Sequence, residues 1–328
     1  MTKRPIFLLG SHKSGSSLLR SLLDGHPSLA VLPSEAHFFQ YGGYWVEYSL
    51  RHSQPRMWTL QQRAEALCRF LEEENYCDDR YGASVMAGRY DEKIFRATLS
   101  RFSGESVAAL AGLYLEAIYR ACTNNADPEG RRIVEKSVEN AEYAPALRAL
   151  FPDSRFVHIV RNPYAVMTAL RKARAAAGFP YLGRILAALE NSYSNLYRNR
   201  LALDGYLVVR YEDLVSAPEA TMREVAGFLD IEFEGQLLRP TLLGQSWGGN
   251  STSGQTLTGI SAGAADRWTA EITDLEIALV NRKLGAAFRY LGYELRAPQH
   301  HPLRQWWQPA RAERPLTYLR NRLLRWCV

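Results

Sequence analysis

The sequence predicts an α/β fold, a three-layer sandwich in which helices cover both faces of a central parallel sheet. Short apolar runs, each followed by a turn signal and a stretch of helical periodicity, recur along the chain, which is the pattern of parallel βα units. The 328 residues are 47% hydrophobic and 23% charged, a composition typical of a globular protein with a sizeable core. Polar residues directly follow several apolar runs, where open parallel sheets bind their ligands.

Five apolar runs are expected to form the strands of the sheet. They cover residues 5–10, 29–32, 132–134, 155–160 and 206–209. A helix is predicted over Ser16–Leu23, because four leucines lie on one face of this stretch and Gly25 provides a stop signal. Further helices are predicted near residues 182–203, 216–229 and 273–291.

A mostly helical insertion is predicted at about residues 40–130, between the second and third strands. Its periodic segments lie near 60–74 and 105–122. Such insertions often act as lids or form one wall of a substrate site. We expect one domain over residues 1–300, followed by a basic helical tail over residues 301–328.

Positive charge is concentrated in this tail. It contains six arginines and one acid, Glu313, so it carries +5 of the formal net charge of +6. The rest of the chain is nearly neutral, which argues against a nucleic-acid-binding surface. Arginines in the tail flank one apolar helical stripe, which consists of Leu316, Leu319, Leu323 and Trp326. The pattern indicates either a basic interfacial helix that contacts an anionic membrane or a last helix that docks on the domain.

Cysteine spacing and hydropathy favour a cytoplasmic location. The four cysteines, at positions 68, 77, 122 and 327, form neither a C-x-x-C motif nor a disulfide scaffold. The apolar stretch at the N-terminus ends after about six residues, short of a signal-peptide core, and no run of about 18 apolar residues occurs. An interfacial tail would add peripheral contact with the inner face of the membrane.

The segment from Gly10 to Ser17, GSHKSGSS, connects the first strand to the first helix, and we call it the phosphate loop. A Gly-rich turn of this kind points backbone N–H groups and the positive end of a helix dipole at one spot, which suits a phosphate or sulfate. A nucleotide triphosphatase would have G-x-x-x-x-G-K-[ST]. Here Ser16 occupies that lysine position and Lys13 lies inside the loop, so the cation is predicted at the middle of the anion site.

This loop and the residues after it resemble a known family. The stretch from Gly10 to Phe39 joins K-S-G-S-S to L-L-D-x-H-P and then to an acid after the next strand. It is similar to the 5′-phosphosulfate-binding region of the sulfotransferase superfamily, in particular its tyrosylprotein, glycan and bacterial branch. The resemblance implies a P-loop-like sandwich that uses 3′-phosphoadenosine 5′-phosphosulfate as co-substrate and needs no metal ion. It also implies that Lys13 stabilises the leaving phosphate and that four loop residues hold the 5′-phosphosulfate. They are Ser14, Gly15, Ser16 and Ser17.

Residues 155–172 are similar to the 3′-phosphate motif of the family. Arg161 matches the arginine of the motif and would hold the 3′-phosphate by a forked, charge-assisted contact. The family's serine usually lies eight residues later, where this chain has Ala169. Thr168 is therefore the expected source of a hydroxyl.

Two later segments also resemble nucleotide-contacting parts of the family. Residues 208–231 are similar to the segment that closes the core, which implies that Tyr211 lies next to the nucleotide. The loop over residues 250–259 resembles the segment that covers the nucleotide. It supplies three expected contacts, which are Ser251, Ser253 and Gly254.

The base for the attacking hydroxyl is expected directly after the second strand. Glu35 stands where the related branch carries its catalytic acid. His37 is the alternative, because the cytosolic branch uses His and an unperturbed His titrates near neutral pH. Lys136, in VEKSVEN, lies in a segment that looks like the Glu-Lys-Ser/Thr-Pro segment of glycan sulfotransferases, which implies a role at the sulfonate or the acceptor.

Together these residues predict in-line transfer of a sulfo group to an acceptor hydroxyl. The acceptor class stays open among carbohydrates, glycolipids, other small molecules and tyrosine. The aromatic run at residues 38–48 suits either stacking on an acceptor ring or packing in the core. One alternative function is a P-loop small-molecule kinase, which would need a lysine directly after the second glycine of the loop, where this chain has Ser16, and ligands for Mg²⁺. Another is a catalytically inactive, membrane-associated nucleotide-binding protein.

Overall fold

A five-stranded parallel sheet forms the centre of the structure, a computed structural model that describes residues 4–41, 58–74, 89–173, 181–249, 259–261, 263, 265–299 and 315–327. The strands are β1 (Ile6–Gly10), β2 (Leu29–Val31), β3 (Arg132–Glu135), β4 (Arg155–Val160) and β5 (Tyr206–Arg210). Their order is β2-β3-β1-β4-β5, with every neighbouring pair parallel. The predicted α/β sandwich is confirmed, and each strand end lies within one residue of its predicted position.

The central strand β1 supplies apolar side chains to both faces of the sheet. All five of its residues are buried, because helices cover both faces of a parallel sheet. Successive side chains point in opposite directions, so Phe7 and Leu9 join one apolar cluster and Ile6 and Leu8 join another. In the register, Ile6 lies opposite Val134 of β3.

Helices form the outer two layers and a lateral group. One face of the sheet is covered by α2 (Phe38–Tyr41), α3 (Leu60–Leu67), α4 (Arg69–Glu74), α5 (Glu92–Leu99), α6 (Val107–Cys122) and α7 (Asn140–Leu150). The other face is covered by α1 (Ser16–Leu23), α10 (Tyr211–Ser216) and α11 (Pro218–Leu229). A third apolar cluster joins α8 (Pro163–Ala173), α9 (Leu182–Ala202), α12 (Asp274–Leu291) and α13 (Pro315–Cys327). A short antiparallel pair, β6 (Thr241–Leu242) and β7 (Gln245–Ser246), follows α11.

Local sequence explains where several helices begin. The Oγ of Ser106 accepts a hydrogen bond from the Ala109 amide at 3.0 Å and caps α6. Thr273 and Glu276 form a reciprocal capping box at the start of α12. Pro218 occupies the first turn of α11, so the helix predicted near 216–229 begins at this proline and a separate short helix, α10, precedes it.

The aromatic run after β2 packs inward where the structure describes it. Phe38, Phe39 and Tyr41 are at most 5% exposed and belong to the cluster under α2–α7. Of the two interpretations of this run, core packing therefore applies to its first residues, and residues 42–48 lie outside the described ranges.

The tail helix α13 docks on the domain with one face and leaves another open. The Leu182 amide donates to Oδ1 of the fully buried Asn321 at 2.8 Å, and Leu324 is 8% exposed in the third cluster. Leucines of the predicted apolar stripe point outward. Their exposed fractions are 77% for Leu316, 46% for Leu319 and 44% for Leu323. Among the described helices, none is both long and apolar enough to cross a membrane.

Candidate active site

A cavity of about 490 Å³ opens at the carboxyl end of the sheet. Its size lies within the range of roughly 300–1,000 Å³ that is usual for small-molecule sites. Predicted site residues that line it are Lys13, Gly15, Ser16, Ser17, Glu35, Lys136, Arg161, Thr168 and Tyr211. Since β3 and β4 flank β1 on opposite sides, this is the switch point where open parallel sheets bind ligands. The predicted contacts Ser251, Ser253 and Gly254 lie outside the described residues.

The phosphate loop takes its shape from two left-handed residues. The φ angles of Lys13 and Gly15 are 66° and 102°. Glycine is required at the second position, because a Cβ there would lie 2.4 Å from Cδ2 of Tyr211. Gly15 is also the N-cap of α1, and no described side chain caps the helix there. The N-terminus of α1, with the positive end of its helix dipole, is therefore a position that favours an anion.

Ser14 stabilises the loop from inside. Its hydroxyl and its amide both donate to the Ser11 carbonyl, at 2.8 and 3.2 Å, and the residue is fully buried. Sequence reasoning predicted that Ser14 contacts the donor. Both of its donors are engaged within the loop, so Ser14 stabilises the loop conformation, whereas Ser16 and Ser17 line the cavity.

Lys13 lies at the centre of the loop and contacts Arg161, the residue that directly follows β4. Nη1 of Arg161 donates to the Lys13 carbonyl at 3.3 Å, and its guanidinium lies 4.4 Å from the centre of the Tyr211 ring. Burial, together with the positive charge of Lys136, lowers the pKa of the Lys13 ammonium below its ordinary value. Three predicted residues that are distant in sequence therefore form one wall of the cavity.

A second wall is formed by Glu35 together with Lys136 and Val138 of residues 135–139, a segment that we call the β3 loop. Lys136, 5% exposed, forms a hydrogen-bonded ion pair with the Glu35 carboxylate. Burial alone would raise the pKa of Glu35, but the charge of Lys136 and of the neighbouring histidines outweighs it and holds that pKa below its usual range. Glu35 is therefore ionised at neutral pH, and a cation and a carboxylate face the same space.

Two further residues of the β3 loop fix the backbone next to Glu35. The Ala36 amide donates to Oε1 of Glu135 and the His37 amide donates to Oγ of Ser137, both at 3.1 Å. Ser137 in turn donates to the Glu135 carboxylate. Glu135 is 1% exposed, and burial raises its pKa from 4.5 to about 7. Sequence reasoning missed this role, although a glutamate within the apolar strand RIVE was a signal for it.

His37 is held between two carboxylates. Its Nδ1 is hydrogen-bonded to the buried Glu139, and its Nε2 lies 3.6 Å from Oε2 of Glu35. The residue has a left-handed φ of 49°, a conformation that non-glycine residues adopt at a cost and that often marks functional sites. Ligand atoms of the two glutamates and His37 lie within 4.8 Å of one another. The Lys136 ammonium on Glu35 opposes a metal cation there.

The five-stranded parallel sheet, with its glycine loop between β1 and α1, defines a P-loop-like α/β protein. More narrowly, the chain belongs to the sulfotransferase family, whose sequence model matches residues 5–235. The family predicted from the phosphate loop and its flanking residues is thus confirmed. Membership supports sulfo-group transfer as the chemistry of the chain.

Solved structures with the same fold include two sulfotransferase domains. The domain of the Synechococcus PCC 7002 olefin synthase is 22% identical with a TM-score of 0.59, covering 90% of this chain and 97% of that one. The domain of the curacin biosynthetic pathway is 23% identical with a TM-score of 0.57, covering 90% and 99%. An uncharacterized protein of Aquifex aeolicus (strain VF5) is 23% identical over 246 residues, which is 72% of this chain but 27% of that relative. The chain thus spans about a quarter of the curated relative it matches.

Proposed function

We propose that the protein transfers the sulfo group of 3′-phosphoadenosine 5′-phosphosulfate to the hydroxyl of a small-molecule or glycoconjugate acceptor. One observation carries the proposal. The anion-binding phosphate loop, the half-buried Lys13 and the Glu35–Lys136 pair all face one cavity. In-line transfer needs donors around the anionic groups, a cation near the leaving oxygen and a base near the acceptor.

The phosphate loop and its neighbours hold the donor nucleotide. The first amides of α1 and the hydroxyls of Ser16 and Ser17 bind the 5′-phosphosulfate. Lys13 stabilises the negative charge that develops on the leaving phosphate, and its lowered pKa makes its proton easier to donate. Arg161 holds the 3′-phosphate and Tyr211 flanks the nucleotide, since both line the cavity behind the loop.

Glu35 removes the proton of the acceptor hydroxyl. It lines the cavity, it is ionised, and its backbone is fixed by hydrogen bonds from the neighbouring amides to the β3 loop. Lys136 lies within reach of both Glu35 and the phosphate-loop side, so it binds a sulfonate oxygen once the donor is present. His37 is the alternative base, since its imidazole is oriented by Glu139.

Thermal unfolding with two ligands tests the donor assignment. Adenosine 3′,5′-bisphosphate should raise Tm more than ATP with Mg²⁺ does, because ligands stabilise the state that they bind. A larger shift with ATP and Mg²⁺ would favour the kinase alternative. No shift with either ligand would favour an inactive protein and would overturn the proposal.

The tail brings the enzyme to an anionic membrane surface. This part of the proposal rests on the open leucine stripe of α13 and on the excess of arginine in residues 301–328. Replacing Leu316, Leu319 and Leu323 with Asp should abolish co-sedimentation with phosphatidylglycerol vesicles. The docking residues Asn321 and Leu324 stay in place, so Tm should change little. Unchanged sedimentation would make the tail a purely structural element.

A further inference from the structure

Besides the phosphate loop and Glu35, charged residues on and near α8 also line the cavity. The face of α8 that carries Thr168, Ala169 and Lys172 lines the cavity, together with Arg267 and Glu271 from the segment before α12. Residues four positions apart in a helix lie on one face, so Lys172 lies one turn beyond Thr168 along the cavity wall. Arg161 lines the same cavity and lies two residues before the start of α8.

The hydroxyl of Thr168 is engaged elsewhere. Its Oγ1 donates to the Tyr164 carbonyl at 3.0 Å, and the residue is 2% exposed. A phosphate dianion presents only acceptors, so a hydroxyl whose single proton is used in the helix has no hydrogen to offer it. Ala169 carries no polar group. The expected hydroxyl contact from α8 is therefore not available in this arrangement.

Lys172 forms an ion pair with Glu271, and both residues line the cavity. Its Nζ lies 2.6 and 2.5 Å from the two carboxylate oxygens of Glu271, and the two side chains are 40% and 34% exposed. Ion pairs at such exposed positions contribute little to stability because water screens them. A bound phosphate dianion, with twice the charge of the carboxylate at the same place, would compete well for the ammonium.

We infer that Lys172 binds the 3′-phosphate of the donor nucleotide and exchanges Glu271 for that phosphate when the nucleotide binds. The inference rests on the proposed function and makes Lys172 a residue that selects 3′-phosphorylated nucleotides over adenosine 5′-monophosphate. Glu271 acts in the opposite direction, because it holds the ammonium and adds negative charge at the phosphate position.

Isothermal titration calorimetry with adenosine 3′,5′-bisphosphate and with adenosine 5′-monophosphate tests this inference. Lys172→Met should lower the affinity for the bisphosphate about tenfold or more, as expected for a charge-assisted contact, and leave that for the monophosphate unchanged. Lys172→Arg should keep the preference. Glu271→Gln should increase the affinity for the bisphosphate and leave the monophosphate unaffected. The matched control is Lys283→Met, which removes another half-exposed lysine paired with a glutamate, Glu190, away from the cavity.

The outcomes separate this inference from the donor assignment. A wild-type protein that does not prefer the bisphosphate contradicts both. A wild-type preference that survives Lys172→Met overturns the role of Lys172 and leaves the donor assignment standing. A preference lost in Thr168→Val but kept in Lys172→Met would return the phosphate contact to the hydroxyl. Each variant is checked by its thermal unfolding curve, and the exposed position of Lys172 predicts a native fold for its variants.

Discussion

The two walls of the cavity are built in different ways. The phosphate loop is a backbone structure: left-handed residues and the first amides of α1 create its anion site. The second wall is a set of paired side chains, in which Glu35 depends on Lys136, and next to this pair His37 depends on Glu139. A site built from backbone groups loses its binding geometry when the backbone conformation changes. A site built from paired charges loses its electrostatic balance when one side chain of a pair is removed. Substitutions that change the backbone of the loop should therefore weaken binding, whereas substitutions of the charged side chains, Lys13 included, should slow the chemistry.

The largest effect on the chemistry is expected from Glu35→Gln. Loss of the base should lower kcat by about 10²–10⁴, while the affinity for adenosine 3′,5′-bisphosphate, measured by calorimetry, should fall far less. Glu142→Gln is the matched control, because Glu142 lies on α7 near this wall but does not line the cavity. Wild-type turnover in Glu35→Gln, with a large loss in His37→Gln, would assign the base to His37.

A smaller effect, on binding, is expected from Gly15→Ala. The added Cβ would clash with the Tyr211 ring at a φ of 102°, and such strain costs roughly 1–3 kcal/mol. The affinity for the bisphosphate should fall roughly ten- to hundredfold, measured by calorimetry. Gly227→Ala is the control, because an added Cβ in α11 meets no atom within 4 Å and alanine favours helix. Equal affinities in the two variants would show that the loop conformation is unimportant.

The last effect concerns stability rather than binding or rate, and it involves Glu135. A carboxyl group whose pKa rises on folding, here from 4.5 to about 7, binds more protons in the folded chain between these pH values. The free energy of unfolding should therefore fall as pH rises through this window, by up to about 3 kcal/mol. Glu135→Gln should remove this dependence in urea unfolding at about pH 5 and about pH 8. Parallel pH profiles of the variant and the wild type would contradict the raised pKa of the buried Glu135 carboxyl group.

The difference between the walls also explains what could be predicted from the sequence. The strands and the phosphate loop were predictable because apolar runs and glycine spacing are local signals. The roles of Glu135, Ser137 and Glu139 were not, because each depends on contacts with residues about a hundred positions earlier in the chain. In this loop the resemblance pointed to Lys136 and Ser137, and only Lys136 was assigned a role.

Other differences from the expectation have local physical causes. Thr168 lies at the predicted place, but a helical threonine can donate to the carbonyl four residues before it, as it does here to Tyr164. Ser14 likewise lies in the loop but stabilises it internally. Hydrogen-bond direction is a property of the folded chain, and residue type alone does not determine it.

Transfer of radiolabelled sulfo groups by Lys13→Ala tests the central claim most directly. With a panel of hydroxyl acceptors and the ³⁵S-labelled donor, the wild type should produce a labelled acceptor. Lys13→Ala should still bind adenosine 3′,5′-bisphosphate and should transfer about 10²–10³ times more slowly, as expected on loss of a charge-stabilising donor. Transfer at the wild-type rate by Lys13→Ala would contradict the account, because the leaving phosphate would then be stabilised without the lysine of the phosphate loop.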